Sequence, residues 1–227
     1  MIRTITRQKT LAAILAGLGE ARRVFIAGCG TCSTMCRTGG VAEVAAMADA
    51  LGREGLEITG TAVPPVACDD LDLAVLDEQA AAIDASQAVL VLACGFGAQS
   101  LGARRAVPVV PGVDTLFVGK ERGPGRFEEI CRQCAQCVLA DTGGICPVAS
   151  CHKGLLNGPC GGTRDGKCEV DREMDCAWTL IHQRLAQQGR LDRMRRLQPP
   201  RDHRAVLRPG RLAIQPDEEE HGDAPAA

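Results

Sequence analysis

Residues 22–55, RRVFIAGCGTCSTMCRTGGVAEVAAMADALGREG, decide how the first half of this chain folds. A short apolar run, Val24 to Ala27, stops at Gly28 and gives way to three cysteines, Cys29, Cys32 and Cys36, spaced C-x2-C-x3-C. After Gly39-Gly40 the period changes, and Val41, Val44, Ala45 and Ala48 recur on one helical side. The reading is a buried strand, a thiol-bearing loop and an amphipathic helix. A dinucleotide loop would need G-x-G-x-x-G, but Gly28-Cys29-Gly30-Thr31-Cys32-Ser33 lacks the third glycine and puts thiols at the turn. A redox dithiol at Cys29 and Cys32 would leave Cys36 and the later cysteines without a role.

The same alternation continues on either side. LEITGTAVPP (56–65) reads as a second strand closed by prolines, LDLAVLDEQAAAIDAS (71–86) as a second helix, and AVLVLACG (88–95) as a third, almost wholly apolar strand. A short helix near GAQSLGARRA and two brief extended pieces, AVPVV and DTLFVG, follow. Strands alternating with helices predict an α/β domain over residues 1–121, a parallel sheet with flanking helices of the Rossmann or flavodoxin kind. At the N-terminus, MIRTITRQKTLAAILAGLGEARR has basic residues ahead of an apolar run, as a signal peptide would. Leu11, Ile14, Leu15 and Leu18 share one helical face and no A-x-A cleavage site follows, so a plain amphipathic helix is expected.

Composition limits what such a domain can do. The apolar 45% of the 227 residues is mostly Ala, Leu and Val, with four Phe, one Trp and no Tyr, which suits helices packed thinly on a sheet. A net charge of −2 exerts no general pull toward nucleic acid or anionic lipid. No apolar run approaches the ~20 residues of a membrane span, so a soluble, cytoplasmic protein is expected. Thirteen cysteines then need a collective explanation. Disulfides want an oxidising compartment and no export signal is visible, whereas close C-x2-C pairs suit metal ligation.

Position sharpens this. Cys29, Cys68 and Cys94 each follow the carboxyl end of a predicted strand, and in an open parallel sheet those ends share the edge where ligands bind. With Cys32 and Cys36 they make five candidates for one four-thiolate site, with Cys29 or Cys68 the first to be left out. Iron–sulfur clusters and structural zinc both accept four cysteines, and spacing does not choose between them.

From about Arg122 the texture changes, with eight cysteines and nine glycines between Gly123 and Trp178 and little periodicity. Residues 122–198 are expected to form a small, loop-rich domain whose folding relies on bound metal. Cys131-x2-Cys134-x2-Cys137 can wrap one cubane cluster, although Cys146-Pro147 comes too late for a ferredoxin motif. Cys151, Cys160, Cys168 and Cys176 follow, enough for a second centre, with pairing undetermined by spacing. Glycines beside the sulfurs permit close backbone approach, in a cluster loop or equally in a zinc knuckle. Trp178, Ile181, Leu185 and Leu191 suggest a closing helix. His152, Lys153, Asn157 and His182 come without paired carboxylates, triad or phosphate loop, so no catalytic residue is assigned. The arginines from Arg184 to Arg211 lack interleaved aromatics and precede DEEEH, which argues for a solvated face or docking arm rather than nucleic-acid binding. Residues 199–227 read as an extended or disordered tail.

The run CRQCAQCVLADTGGICPVASCHKGLLNGPCGGTRDGKCEV with its downstream CAW, together with GCGTCSTMCRTGG, ACDD and LACGFGAQS, resembles the methylenetetrahydrofolate reductase C-terminal domain family over about residues 20 to 190. Within that family the chain looks like the small iron–sulfur (MetV-type) partner subunit. The resemblance implies an electron-transfer subunit without a substrate site of its own, working with a flavin-containing reductase subunit in folate one-carbon metabolism. A further electron-donor protein is compatible with that role. It also implies two or three 4Fe–4S clusters. Cys29, Cys32, Cys36, Cys68 and Cys94 would serve an N-terminal one, and Cys131, Cys134, Cys137, Cys146, Cys151, Cys160, Cys168 and Cys176 the C-terminal domain, where zinc could fill one site. The competing expectation is a zinc-stabilised scaffold or regulatory subunit of the same complex.

Overall fold

The computed structural model describes residues 4–206 and 208–210, and the chain divides into two compact units, one running through Arg132 and one beginning at Gln133. The first unit contains, in order, β1 (Thr4–Gln8), α1 (Leu11–Leu18), β2 (Arg23–Ala27), α2 (Cys32–Met35), α3 (Val41–Arg53) and β3 (Glu57–Ala62). It continues with α4 (Asp70–Leu73), a 3-10 turn (Ala74–Asp77), α5 (Ala80–Asp84), β4 (Ala88–Val91) and α6 (Gly95–Arg104). The last three elements are β5 (Val109–Pro111), β6 (Val113–Gly123) and β7 (Arg126–Glu129).

Four strands pair in parallel in the order β3-β2-β4-β5. Counted along the sheet's own strands this is 2-1-3-4, the order of doubly wound sheets of the flavodoxin kind. Alternation along each strand splits the interior in two. Val24, Ile26, Leu90 and Leu92 face Ile14 and Leu18 of α1 and Val44, Met47 and Leu51 of α3. Phe25, Ala27, Val89 and Val91 face Leu73, Leu76, Ile83 and Leu101 on the other side. Both faces of the sheet are therefore covered, as the near-continuous apolar strands require.

The structure departs from the sequence reading at four places in this unit. The N-terminal segment does not start as a helix. Thr4-Ile5-Thr6 is β-branched and buried, and it forms β1, antiparallel to β6, before Thr10 caps α1 by accepting from the Ala13 amide. The stripe of α3 is turned, with Val44, Met47 and Leu51 buried while Val41 is 73% exposed and Ala45 exposed. The helix expected over 71–86 is broken into α4, the 3-10 turn and α5. Leu73 and Leu76 are both buried, and a 3-10 turn brings residues three apart onto one side. Finally, DTLFVG belongs to a long strand, β6, which turns back into β7 to give a second sheet, β1-β6-β7. The first unit accordingly runs on past the change of composition near Arg122.

The second unit has little regular structure, with a short α7 (Pro147–Ser150), α8 (Ala177–Gln187) and 3-10 turns at Leu191–Arg195 and His203–Ala205. Its buried core is Trp178, Ile181 and Leu185, against which Ile145, Cys151, Leu155, Cys176 and Met194 pack. Leu191, expected on the buried side of the closing helix, lies beyond α8 in a 3-10 turn and is exposed. Three buried side chains contribute about 1.5–3 kcal/mol each. Ordering the backbone costs ~1–2 kcal/mol per residue, so this core is small for the loops it anchors. Of the expected tail, residues 199–206 and 208–210 are described, and the acidic run at 217–221 lies outside the described residues. Among the described residues no helix is long and apolar enough to cross a membrane.

Candidate metal centres

In the first unit the parallel register sets the carboxyl ends of β2, β3 and β4 side by side, with Ala27 opposite both Ala62 and Val91. The cysteine loops leave from those ends. Cys29 follows β2 and is buried; Cys32 opens α2 and Cys36 closes it, both half-buried. Cys68 lies after β3 and is exposed, and Cys94 caps the start of α6 and is buried. The edge between β2 and β4, where the strand order reverses, is the place at which sheets of this kind bind ligands.

Cys32 and Cys68 each lie near enough to Cys29 and Cys94 to feel their charge. Burial raises the Cys32 thiol above its ordinary value. A backbone hydrogen bond from Thr4 opposes this, and the charges of Cys29, Cys94 and Cys36 raise the thiol further. Burial likewise raises Cys68, followed by the charges of Cys94, Cys29 and Cys32. Cys32 and Cys68 therefore hold their protons more tightly unless positive charge is placed beside them, which a bound metal centre would supply.

Glycines draw the loops together. A Cβ on Gly39 would meet the Leu92 carbonyl oxygen at 1.6 Å, so only glycine lets the turn after Cys36 lie on the strand end leading to Cys94. A Cβ on Gly97 would stand 2.9 Å from the Ala67 Cβ, beside Cys68, and one on Gly30 3.0 Å from the Pro65 carbonyl oxygen. Hydrogen bonds fasten the same joints. The Cys29 amide donates to Gly39 O at 2.8 Å, the Gly30 amide to Pro64 O at 2.8 Å and Thr31 Oγ1 to Pro65 O at 2.6 Å. The second sheet also reaches this edge. Thr115 Oγ1 in β6 accepts from the Gly95 amide at 2.8 Å, Thr6 and Thr38 share a buried hydroxyl pair at 2.6 Å, and Cys36 Sγ lies 3.9 Å from Thr4 O. The sequence reading missed these threonines; the β-branched alternation of Thr4-Ile5-Thr6 was the available signal.

Among the described residues two buried hydroxyls lack a hydrogen-bond partner, Ser33 in this loop and Thr59 in β3. Ser33, next to Cys32, is fully buried and its Oγ has no hydrogen-bond partner. An unsatisfied buried hydroxyl costs about 1–3 kcal/mol, which a sulfur acceptor beside it would relieve. An all-thiol donor set, glycine-tight loops and a spare hydroxyl suit a four-iron cluster, which takes four cysteinates. Among the described residues no three His, Cys, Asp or Glu side chains converge as ligands of one ion would.

The boundary between the units falls between Cys131 and Cys134. Cys131 is exposed after β7, Cys134 is half-buried and Cys137 exposed. Gln133 and Ala135, on either side of Cys134, both take left-handed φ values of 50° and 55°. Non-glycine residues there cost ~1–2 kcal/mol each, so the curl around Cys134 needs something to hold it. Part of the hold comes from the arginine-rich end, which is used internally. Arg190 donates to Ala140 O at 3.0 Å, and Arg193 and Gln198 to the Asp141 carboxylate at 3.1 and 3.2 Å. The Asp202 amide donates to Gln136 Oε1 at 3.2 Å, inside the Cys134–Cys137 loop. Asn157 exchanges two hydrogen bonds with the Gln198 backbone.

Cys146 caps α7 and Cys151 ends it, both half-buried. Cys160 is exposed, while Cys168 and Cys176 are half-buried, with Cys176 at the start of α8. Burial pushes the Cys176 thiol up. Hydrogen bonds from the Thr179 backbone and hydroxyl, the Thr163 hydroxyl and the Trp178 backbone outweigh it, so the thiol is held below its ordinary value. Lys153 pairs with Glu169, and His152 Nε2 lies 3.2 Å from Met174 Sδ; neither accompanies a reactive constellation.

Neither a curated protein nor a solved structure matches this chain. The resemblance read from the sequence spans about residues 20 to 190, whereas the family match takes in residues 110–204 and leaves most of the parallel-sheet unit outside it. Residues 110–204, from the end of β5 through the cysteine-rich segment and α8, match the family described as methylene-tetrahydrofolate reductase C terminal.

Proposed function

We propose that this protein is an iron–sulfur electron-transfer subunit of the MetV type, relaying electrons to or from the flavin-containing subunit of methylenetetrahydrofolate reductase. The observation that carries the reading is the gathering of five thiols from three loops at the switch point of a parallel sheet. The family match over residues 110–204 supports the association with the reductase.

A bound cluster would supply reversible one-electron carriage, with a potential set by hydrogen bonds to sulfur and by solvent access. The chain's own residues do the rest. Cys29, Cys32, Cys36, Cys68 and Cys94 offer the thiolates, and Gly30, Gly39 and Gly97 keep the loops close enough for them to act together. Burial of Cys29 and Cys94 shields one side, while exposed Cys68 leaves the other open to a partner. The N-terminus of α6 directs its backbone amides toward the Cys94 end, which favours negative charge there. Hydride chemistry on the folate falls to the flavin partner.

Anaerobic purification with iron, acid-labile sulfide and zinc analysis tests the reading, followed by reduction monitored by visible and EPR spectra. Iron and sulfide in equal amounts with a reducible signal are expected. Zinc without sulfide, and no reducible signal, would refute the relay in favour of a zinc-stabilised scaffold.

A further inference from the structure

Spacing leaves the seven cysteines of the second unit unpaired, but their positions do not. Building on the cluster reading above, we propose that Cys151, Cys160, Cys168 and Cys176 are the ligands of one four-iron cluster, distinct from any centre served by Cys134 and Cys137. All four side chains line a single concavity, together with Thr163 and Trp178. Cys137 lines a different one, beside Val138, Leu156 and Pro199.

The backbone around the concavity is built to keep the four there. The Cys176 amide donates to Gly166 O at 2.7 Å and the Cys168 amide to Met174 O at 2.9 Å, while an antiparallel bridge joins Lys167 and Asp175. Cys168 and Cys176 are thereby tied across one turn. Cys151 and Cys176 both pack against the Trp178 core. Cys160 receives a hydrogen bond from the Gly162 amide to its Sγ, at 3.4 Å. Lys153 and Glu169 both line the concavity as an ion pair, so the positive field there comes from the amino end of the eleven-residue α8, where Cys176 sits.

Sequence spacing favours a cluster over a single zinc ion at these four. Structural zinc is tied by pairs two to four residues apart, whereas eight, seven and seven residues separate these four cysteines in turn. A four-iron cube binds each thiolate at a separate iron, which suits thiols drawn from separate turns.

The full chain, purified anaerobically with its metal, tests the grouping by cysteine alkylation during stepwise chelation, read site by site by mass spectrometry. Cys151, Cys160, Cys168 and Cys176 should stay protected together and become labelled in one step, apart from Cys134 and Cys137. Cys168→Ser should remove the iron and sulfide of one cluster, adding Cys160→Ser should remove no more, and adding Cys134→Ser should remove a second cluster's worth. Equal iron loss in Cys168→Ser, Cys134→Ser and their combination would overturn the proposal. So would labelling of the four in separate steps, which reads the unsubstituted chain and stands even if a variant fails to fold. Release of zinc without sulfide on labelling of all four in one step would instead overturn the cluster reading at this site while leaving the grouping intact.

Discussion

Gly39→Ala places a methyl carbon where the end of the third parallel strand already lies. The new Cβ would stand 1.6 Å from Leu92 O, 2.7 Å from Leu92 C and 2.9 Å from Leu92 Cβ. Leu92 is fully buried, and its amide is engaged with Ala27 O at 2.7 Å, so the strand cannot give way cheaply. The turn after Cys36 must move instead, which strains the bond from the Cys29 amide to Gly39 O, 2.8 Å long. Overpacking of this kind costs ~1–3 kcal/mol, and the lost hydrogen bond about 0.5–1.5 kcal/mol. At ~2–4 °C per kcal/mol for a chain of this size, melting should fall by roughly 5–15 °C in the metal-free protein. Because the displaced turn links Cys36 to the Cys94 end of the sheet, iron retention at this edge should fall as well. Gly52→Ala is the matched control. Its Cβ meets nothing within 4 Å, and it lies in α3, where alanine is favoured over glycine by about 0.5–1 kcal/mol. Thermal unfolding followed by circular dichroism, with iron analysis of both variants, decides the matter. If Gly39→Ala melts with the parent and keeps its iron, the claim that glycine closure builds the site is wrong.

In the metal-free protein, alkylation rates measured site by site against pH should rise at lower pH for Cys176 than for Cys32 or Cys68, since hydrogen bonds lower the first and burial with neighbouring thiols raises the others. The linkage follows: raised thiols stabilise the fold below the ordinary thiol range, and that contribution disappears as pH rises through their raised values. Hydrogen bonds from Arg193 and Gln198 hold Asp141 below the usual carboxylate range. Its contribution is therefore present above that range and lost as pH falls through the depressed value, so the acid limb of a melting profile should flatten in Asp141→Asn. Trp178, the one tryptophan in the sequence, lines the concavity of the four cysteines, so its emission should be quenched on metal loading and recover in Cys168→Ser. Bright emission in the fully loaded protein would count against a centre at that position.

Much of the first unit was legible because its strands are buried on both faces and its loops carry unmistakable residues. Val24 to Ala27 and Ala88 to Leu92 could be read as central strands from apolar continuity alone, and the positions of Cys29, Cys68 and Cys94 after strands placed them on one edge. The face of α3 was misplaced because alanines and valines leave a weak periodic signal, and Met47 and Leu51 proved to be the buried residues. The β1-β6-β7 sheet was hidden for a different reason. β1 and β6 lie more than 100 residues apart in sequence, and Thr4-Ile5-Thr6 buries itself only because a partner strand is waiting.

The amino-acid sequence alone determined the chemistry: thirteen thiols with glycines beside them, and a βα alternation that sends several to the same sheet edge. Local pattern suffices for that, since apolar period and turn residues act over a few positions. Tertiary structure decided which thiols keep company. Cys32 and Cys68 both feel Cys29 and Cys94, with Cys36 beside Cys32, and Cys151, Cys160, Cys168 and Cys176 share one concavity. Loop packing sets those distances through contacts such as Gly39 on Leu92 and Cys176 on Gly166, between residues that sequence spacing does not relate.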